Sequence, residues 1–279
     1  MSQAYDWRSP TAAKQLMQLD REQFAIEFLR RNPAYAEDYR NTLDRTPPNP
    51  SATEIAMGQP KSPWGGSPAV GVWPFPHAPD IPAWVSPGLW RPEHSPSTVI
   101  VTAGPSGFDV GYSIGFDGLS PVLMSVETRD GRHVLLNDPA GRHRLWFAGG
   151  VRSDSSAFLI PFDGGFSARL HSLQRLHRRL TGKKAGPLLR SQQLSVGQRA
   201  RFTFLLRVLD GEQEGVTRRE LAAVLLDQDA RDIPAVEWKN SPLRKRINRA
   251  VTAATALMNG GYLALLRGDA ERAERFQRR

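Results

Sequence analysis

Residues 241–261 run SPLRKRINRAVTAATALMNGG. Ser241-Pro242 is a helix N-cap followed by a first-turn proline, and Gly260-Gly261 is a stop, so one helix is predicted from about 242 to 259. At 100° per residue, Leu243, Ile247, Ala250, Val251, Ala254, Leu257 and Met258 fall on one face. Lys245, Asn248, Arg249 and Thr252 fall opposite, with Arg244 and Arg246 on the flanks. Just upstream, Thr217-Arg218-Arg219-Glu220 has the form of a capping box before the apolar run 221–226, which predicts a short helix.

Two sharply capped helices, the second with a cationic and amide-bearing outer face, suit a major-groove reader. Arg or Lys can donate there to guanine O6 and N7, and Asn can pair with adenine N6 and N7. Lys245, Asn248 and Arg249, with Thr252 beside them, are the expected groove contacts, and Arg218, Arg219, Arg244 and Arg246 the expected phosphate contacts. The N-terminal end of the later helix would also turn N–H groups toward a phosphate. The competing reading is an ordinary amphipathic surface helix. The interval 227–240 exceeds the three- or four-residue turn of the standard helix-turn-helix. Either it is an inserted loop, seated by Trp238, or the two helices are not docked as that motif.

Charge points the same way. From residue 166 onward there are 23 Lys and Arg against 11 Asp and Glu, whereas the first 165 residues hold 14 against 17. A cationic segment joined to a near-neutral one suits a phosphate-binding module attached to a partner-binding module. With 40% hydrophobic residues, 12 Phe and 7 Trp, the chain can build a real core. It contains no Cys, which removes disulfides, thiolate-held zinc, iron–sulfur clusters and cysteine nucleophiles together. The apolar runs are far too short to span a bilayer and the N-terminus is polar, so a cytoplasmic protein without membrane contact is expected.

The remaining chain divides by composition into an α+β arrangement. Residues 1–45 read as a small helical module: Ser9-Pro10 opens one helix, Asp20 caps a second that runs through Arg31, and Asn32-Pro33 ends it. Phe24, Phe28 and Leu29 share a face of that second helix, with Ile26 outside it, and Tyr35 and Tyr39 continue the aromatic stripe. Residues 46–96 are rich in Pro, Gly and Ser and form a connector. Trp64, Trp73, Trp84 and Trp90 imply that part of it packs on a neighbouring unit, the stretch up to about residue 66 being the flexible tether.

Residues 97–165 alternate short β-rich runs with turns (98–102, 122–127, 133–136, 144–147, 157–161), predicting a small antiparallel sheet with a hairpin at Asp130-Gly131. Residues 166–279 return to helix and form the expected DNA-binding bundle. Phe166, Leu170, Leu173, Leu176 and Leu180 line one face of its first helix, and Arg169, Arg175, Arg178 and Arg179 its back. Ser195 caps a second helix that Gly211 is expected to stop, apolar on most sides and therefore central.

Other chemistry is weak. His133, Asp138 and His143 lie near one predicted turn but lack the helical spacing or thiolate partners of a metal site. Gly104-Pro105-Ser106-Gly107 lacks the Lys-Ser/Thr of a phosphate loop and reads as a turn. His171 and His177 are six apart and off register for a shared ligand, and Asp227 and Asp229 sit in a loop. No catalytic residue, metal or cofactor is therefore expected, and a metal-dependent hydrolase is the distant alternative.

The C-terminal half also resembles a proteobacterial helix-turn-helix family that includes FseA-type activators and QseM-type antiactivators of mobile-element excision and transfer. The resemblance is carried by Asp138-Pro139-Ala140-Gly141-Arg142-His143-Arg144-Leu145-Trp146, by 166–180, by 215–226, and by Trp238-Lys239-Asn240-Ser241-Pro242-Leu243-Arg244 through Gly260-Gly261-Tyr262. Asp6-Trp7-Arg8 through Phe28-Leu29-Arg30-Arg31-Asn32-Pro33-Ala34-Tyr35, with Trp90-Arg91-Pro92-Glu93, looks like the domain that precedes it in the activators. The resemblance implies a transcriptional activator of integrative and conjugative element genes that binds double-stranded DNA and recruits RNA polymerase, with an antiactivator protein as a further partner. The alternative it implies is an antiactivator-like module that sequesters an activator.

Overall fold

A computed structural model describes residues 6–43, 79–86, 88, 90–105, 107, 119, 121–128, 131–149 and 156–268. The architecture is α+β, as the sequence predicts: helices at both ends flank one five-stranded sheet. Trp64, Trp73, Ser106, Asp130 and the expected tether lie outside the described residues.

The N-terminal helices are α1 (Pro10–Leu16), α2 (Arg21–Arg30) and α3 (Pro33–Leu43). Each start is set by a local cap. Ser9 Oγ accepts from Thr11 N–H at 3.2 Å. Asp20 and Gln23 form a reciprocal box, Asp20 Oδ1 accepting from Gln23 N–H at 2.7 Å and Gln23 Oε1 from Asp20 N–H at 3.0 Å. Asn32 Oδ1 accepts from Ala34 N–H at 2.9 Å to open α3.

The α2 helix departs from its expected amphipathic form. Every residue from Arg21 to Leu29 is buried, Ile26 among them. The reason is the connector, which covers the side that periodicity leaves open: a Cβ on Gly88 would stand only 2.5 Å from Ile26 Cδ1. Ala83 is buried, Trp84 packs against the same core, and the Trp90 ring lies 5.9 Å from that of Tyr262.

The C-terminal helices are α4 (Phe166–Leu180), α5 (Val196–Gln213), α6 (Arg218–Leu225), α7 (Ala235–Asn240), α8 (Pro242–Ala256) and α9 (Tyr262–Leu266). α5 is the hub, with α1, α2, α6 and α8 all packing on it. Phe24 and Phe28 of α2 meet Phe202 at 5.6 and 6.3 Å between ring centres. N-terminal and C-terminal helices therefore share one core.

Gly211 does not stop α5, which runs on to Gln213 before Gly215 turns the chain at φ +75°. Gly211 is instead a place of close approach, where a Cβ would lie 2.5 Å from Leu221 Cδ2 and 3.0 Å from Trp7 Cζ2. Although alanine is the better helix former, Gly211→Ala is expected to cost about 1 to 3 kcal/mol by overpacking. Urea unfolding followed by tryptophan fluorescence would measure it, and a gain in stability would contradict this account.

The strands are β1 (Thr98–Ala103), β2 (Val122–Thr128), β3 (Gly131–Leu136), β4 (His143–Ala148) and β5 (Ser156–Leu159), in spatial order β2-β3-β4-β1-β5. Three pairings are antiparallel, but β1 runs parallel to β4, with Thr98 opposite Arg144 and Val101 opposite Phe147. The expectation of a wholly antiparallel sheet is corrected here. β2, β3 and β4 form a meander, and β1 lies between β4 and β5, parallel to the first and antiparallel to the second. The β2–β3 hairpin forms, although Gly131 pairs with Thr128 in the ladder rather than sitting at the centre of the turn. Its φ of +136° and the Phe147 carbonyl, 1.9 Å from a notional Cβ, leave room only for glycine.

α4, which charge groups with the C-terminal bundle, lies on the sheet. Leu176 joins Val99, Val101, Val134, Leu136, Leu145 and Phe147, with Leu173 and Leu180 beside them. Two of the arginines expected on its solvated back are buried instead. Arg169 binds Asp163 and donates to the Pro92 carbonyl at 2.9 Å, and Arg175 donates to the carbonyls of Ala140, Gly141 and Gly186. From β4, Arg144 donates to the Gly88 carbonyl at 3.1 Å, which ties the sheet to the helical body.

Candidate nucleic-acid interface

Thr217 caps α6 by accepting from Glu220 N–H at 3.2 Å. The Glu220 carboxylate, expected to reach back to the cap, instead receives Arg231 Nε at 3.0 Å. Arg231 closes a 3-10 turn, Gln228–Arg231, that Asp227 caps by accepting from Asp229 N–H at 3.1 Å. Ala230 of that turn is fully buried, and the turn packs back on α6. α7 follows, and Trp238 lies partly buried against the main core with the Arg219 guanidinium 5.4 Å above its ring. The long interval between α6 and α8 is thus an ordered insert that Trp238 helps to seat, and α6 packs directly on α8.

Ser241, with ψ 135°, breaks the chain between α7 and α8, and its Oγ accepts from Leu243 N–H at 3.1 Å. Along α8 the inner face holds Ile247, Ala250, Ala253 and Ala254, all buried. Three alanines let the helix sit close to α5; Ile247, Ala250 and Ala254 belong to the predicted stripe, Leu243 and Val251 of that stripe are half-buried, and buried Ala253 lies outside it. The helix proper ends at Ala256 rather than near residue 259. A π turn, Leu257–Gly261, with Gly260 at φ +111°, redirects the chain into α9, which packs on α2.

The outer face carries Lys245, Arg246, Asn248, Arg249 and Thr252, all exposed. Their own contacts are local: Arg249 Nε donates to the Lys245 carbonyl at 3.3 Å, and Thr252 Oγ1 to the Asn248 carbonyl at 3.1 Å. Half-buried Arg244 donates to the Lys239 carbonyl at 3.0 Å, and Arg246 stands 5.8 Å over the Phe204 ring. Among the described residues, no carboxylate forms an ion pair with Arg244, Lys245, Arg246 or Arg249.

The two α6 arginines stand apart. Arg218 pairs with Glu212, Nη2 to Oε1 at 2.9 Å, and Arg219 stacks on Trp238, so neither is as available as the α8 cations. Sequence reading passes over Lys239, which is exposed at the end of α7 and adds to the same surface. Its one signal is its place beside Trp238, the anchor of the insert.

Two of the histidines noted in the sequence, His133 and His143, serve the interior, whereas His171 is half-buried and His177 exposed. His133 is buried and stacked on Trp146 with 6.2 Å between ring centres, and burial, helped by Arg91, pushes it down to about 4. His143 is also buried. Burial, then Arg175, pushes it down to about 4 although Nε2 lies 3.4 Å from Asp138 Oδ2. His171 is 3.0 Å from the Pro187 carbonyl. Among the described residues, no three His, Asp or Glu side chains group as a metal site would require, and no helix is long and apolar enough to cross a membrane.

Three family models match the chain in series. Residues 6–65 match a proteobacterial transcriptional regulator-like domain, residues 97–154 a domain of unknown function, and residues 159–267 a domain described as T6SS, transcription factor, DNA binding domain. No curated protein matches the chain. The first and last matches support a DNA-binding transcriptional regulator, and both families are regulatory or DNA-binding rather than catalytic in description.

Proposed function

We propose that this chain is a cytoplasmic transcriptional activator. Its α8 helix reads the major groove, and it recruits RNA polymerase at promoters of mobile-element excision and conjugative-transfer genes. The observation that carries the DNA-reading part is the outer face of α8, where Lys245, Arg246, Asn248 and Arg249 are exposed and, among the described residues, have no carboxylate partner. The activator part rests on the regulator-like match over residues 6–65, ahead of the DNA-binding match, and on the resemblance to FseA-type activators.

In this reading Lys245, Asn248 and Arg249 meet base edges with Thr252 at their margin. Arg244 and Arg246 hold phosphates, while Arg218 and Arg219 contribute less because of Glu212 and Trp238. Mobility-shift titration of the full chain on its own upstream region is the direct test. The full chain is the proper reagent because α2 completes the core on which α8 rests. Asn248→Ala is expected to cost roughly 1 to 3 kcal/mol on the preferred site and to relax preference at one base pair. Arg246→Ala should weaken binding to all sequences alike and lower the slope of log K against log salt by about 0.9. Equal losses on every sequence for both variants would reduce α8 to a nonspecific patch.

A further inference from the structure

Residues 164–209 contain ten Lys and Arg and no Asp or Glu. Five of these cations are engaged by the protein itself: Arg169, Arg175, Arg179, Arg199 and Arg207 donate to backbone carbonyls. Three of the others are not. Arg178 in the last turn of α4, with Lys183 and Lys184 just beyond it, is exposed as they are, and among the described residues none of the three has an ion pair or a side-chain hydrogen bond. The dipole of α4 accounts for a cation in its last turn, but its effect fades beyond that turn and does not call for two more.

The backbone holds these charges together. Lys183 N–H donates to the Arg178 carbonyl at 2.8 Å, and the chain then folds back along α4. The Gly186 carbonyl accepts from Arg175 Nε at 2.9 Å, and the Pro187 carbonyl lies 3.0 Å from His171 Nε2. Gly186, at φ +84°, sits beneath Arg178, whose Nη1 would be 3.5 Å from a Cβ there. Between α4 and the returning segment is an open cleft of about 320 Å³, in whose lining Gln174, His177 and Arg178 are exposed. Their spacing of three and four residues puts all three on one side of the helix.

The lining decides what such a cleft accepts. It holds no carboxylate, so a cation finds no ligand. It holds no Phe, Tyr or Trp on which an unpaired base would stack, and no large apolar side chain to enter a membrane. Exposed cations and one amide suit phosphate oxygens carried on an extended backbone, where neutralised charges release counterions.

We infer that this edge of α4 is a second contact for duplex DNA, gripping the phosphate backbone through Arg178, Lys183 and Lys184, with Gln174 donating from the same side. The inference rests on the reading of the chain as a duplex-DNA binder. It adds a sequence-independent contact on the helix that covers the sheet, a different element from the groove-reading α8.

The test treats the full chain with acetic anhydride, with and without the duplex of its own upstream region, and reads each lysine by peptide mass spectrometry. Labelling of Lys183 and Lys184 should fall severalfold with duplex and recover after nuclease. Lys245 reports on α8 in the same sample, so the two contacts fail separately: protection of Lys183 and Lys184 without Lys245 would remove the groove reading and keep this one, and protection of Lys245 alone would overturn this one. The triple variant Arg178→Gln, Lys183→Gln, Lys184→Gln changes only exposed side chains and should unfold at the native temperature. It should bind preferred and unrelated duplexes at least about tenfold more weakly, with their ratio unchanged, and lower the slope of log K against log salt by about 2.7. An unaltered slope in that variant, or protection by phosphatidylglycerol vesicles and not by duplex, would also overturn the assignment, the latter in favour of a lipid surface.

Discussion

Replacing Glu27 by alanine is expected to destabilise the protein by about 3 to 5 kcal/mol, the range typical of leaving buried charges without their partner. Glu27 is fully buried in the middle of α2. One carboxylate oxygen receives Arg30 Nε at 2.8 Å and also pairs with Arg31, while the other accepts from Ala83 N–H at 2.7 Å. Arg31 continues to Asp210 of α5, Nη2 to Oδ2 at 2.9 Å. One carboxylate thus joins the N-terminal helices, the connector and the hub.

Burial alone would raise the Glu27 pKa, but Arg30, Arg31 and the Ala83 amide hold it below the ordinary carboxylate range. Its charge therefore stabilises the fold above the unfolded-state pKa near 4.5, and that contribution is lost as pH falls below it. Urea denaturation at pH 7 is the measurement. Against a total stability of about 5 to 15 kcal/mol, a loss of that size should lower the urea midpoint clearly and leave a marginally stable protein only at the low end of the range. A loss under about 1 kcal/mol would show that the network is dispensable.

The second large effect is acid sensitivity of the sheet. His133 and His143 are both pushed down to about 4 from an ordinary value of 6.5. In the unfolded chain each imidazole takes up a proton as pH drops through 6.5, whereas the folded protein resists protonation until about 4. Stability from these two residues is therefore complete above pH 6.5 and lost progressively between 6.5 and 4, by about 3 kcal/mol per imidazole as an upper figure. Glu22, held at about 2 by Arg21 and Arg144 against the opposing effect of burial, loses its contribution lower, between 4.5 and 2. Denaturation midpoints at pH 7.5, 6 and 5 should fall steadily, and His133→Phe, which keeps a ring against Trp146, should flatten the decline. An unchanged midpoint from pH 7.5 to 5 would mean that the imidazoles titrate normally.

Legibility from sequence tracks how local the deciding contact is. α8 was readable because its burial follows its own 3.6-residue period and because Ser241-Pro242 marks its start, whereas the Gly pair lies in the π turn beyond its end. The caps at Ser9, Asp20, Ser195 and Thr217 were equally plain, since each is a contact across two or three residues. What failed was decided at long range. Ile26 looks solvent-facing until Gly88 is laid over it. Gly211 looks like a stop until Trp7 and Leu221 arrive from elsewhere in the chain. Arg169 and Arg175 look like a solvated stripe, because periodicity cannot show that backbone carbonyls will receive them in the interior.

The shared core of α2 and α5 has a consequence for biosynthesis. Arg31 must find Asp210 across 179 positions, with the entire sheet unit translated in between. At ordinary elongation rates of about 5 to 20 residues per second, the aromatic side of the first helices emerges from the ribosome roughly 10 to 35 seconds before its counterpart exists. For that interval Phe24 and Phe28 lack the Phe202 ring that they meet in the folded chain, so the core of the first helices can close only after most of the protein has been made.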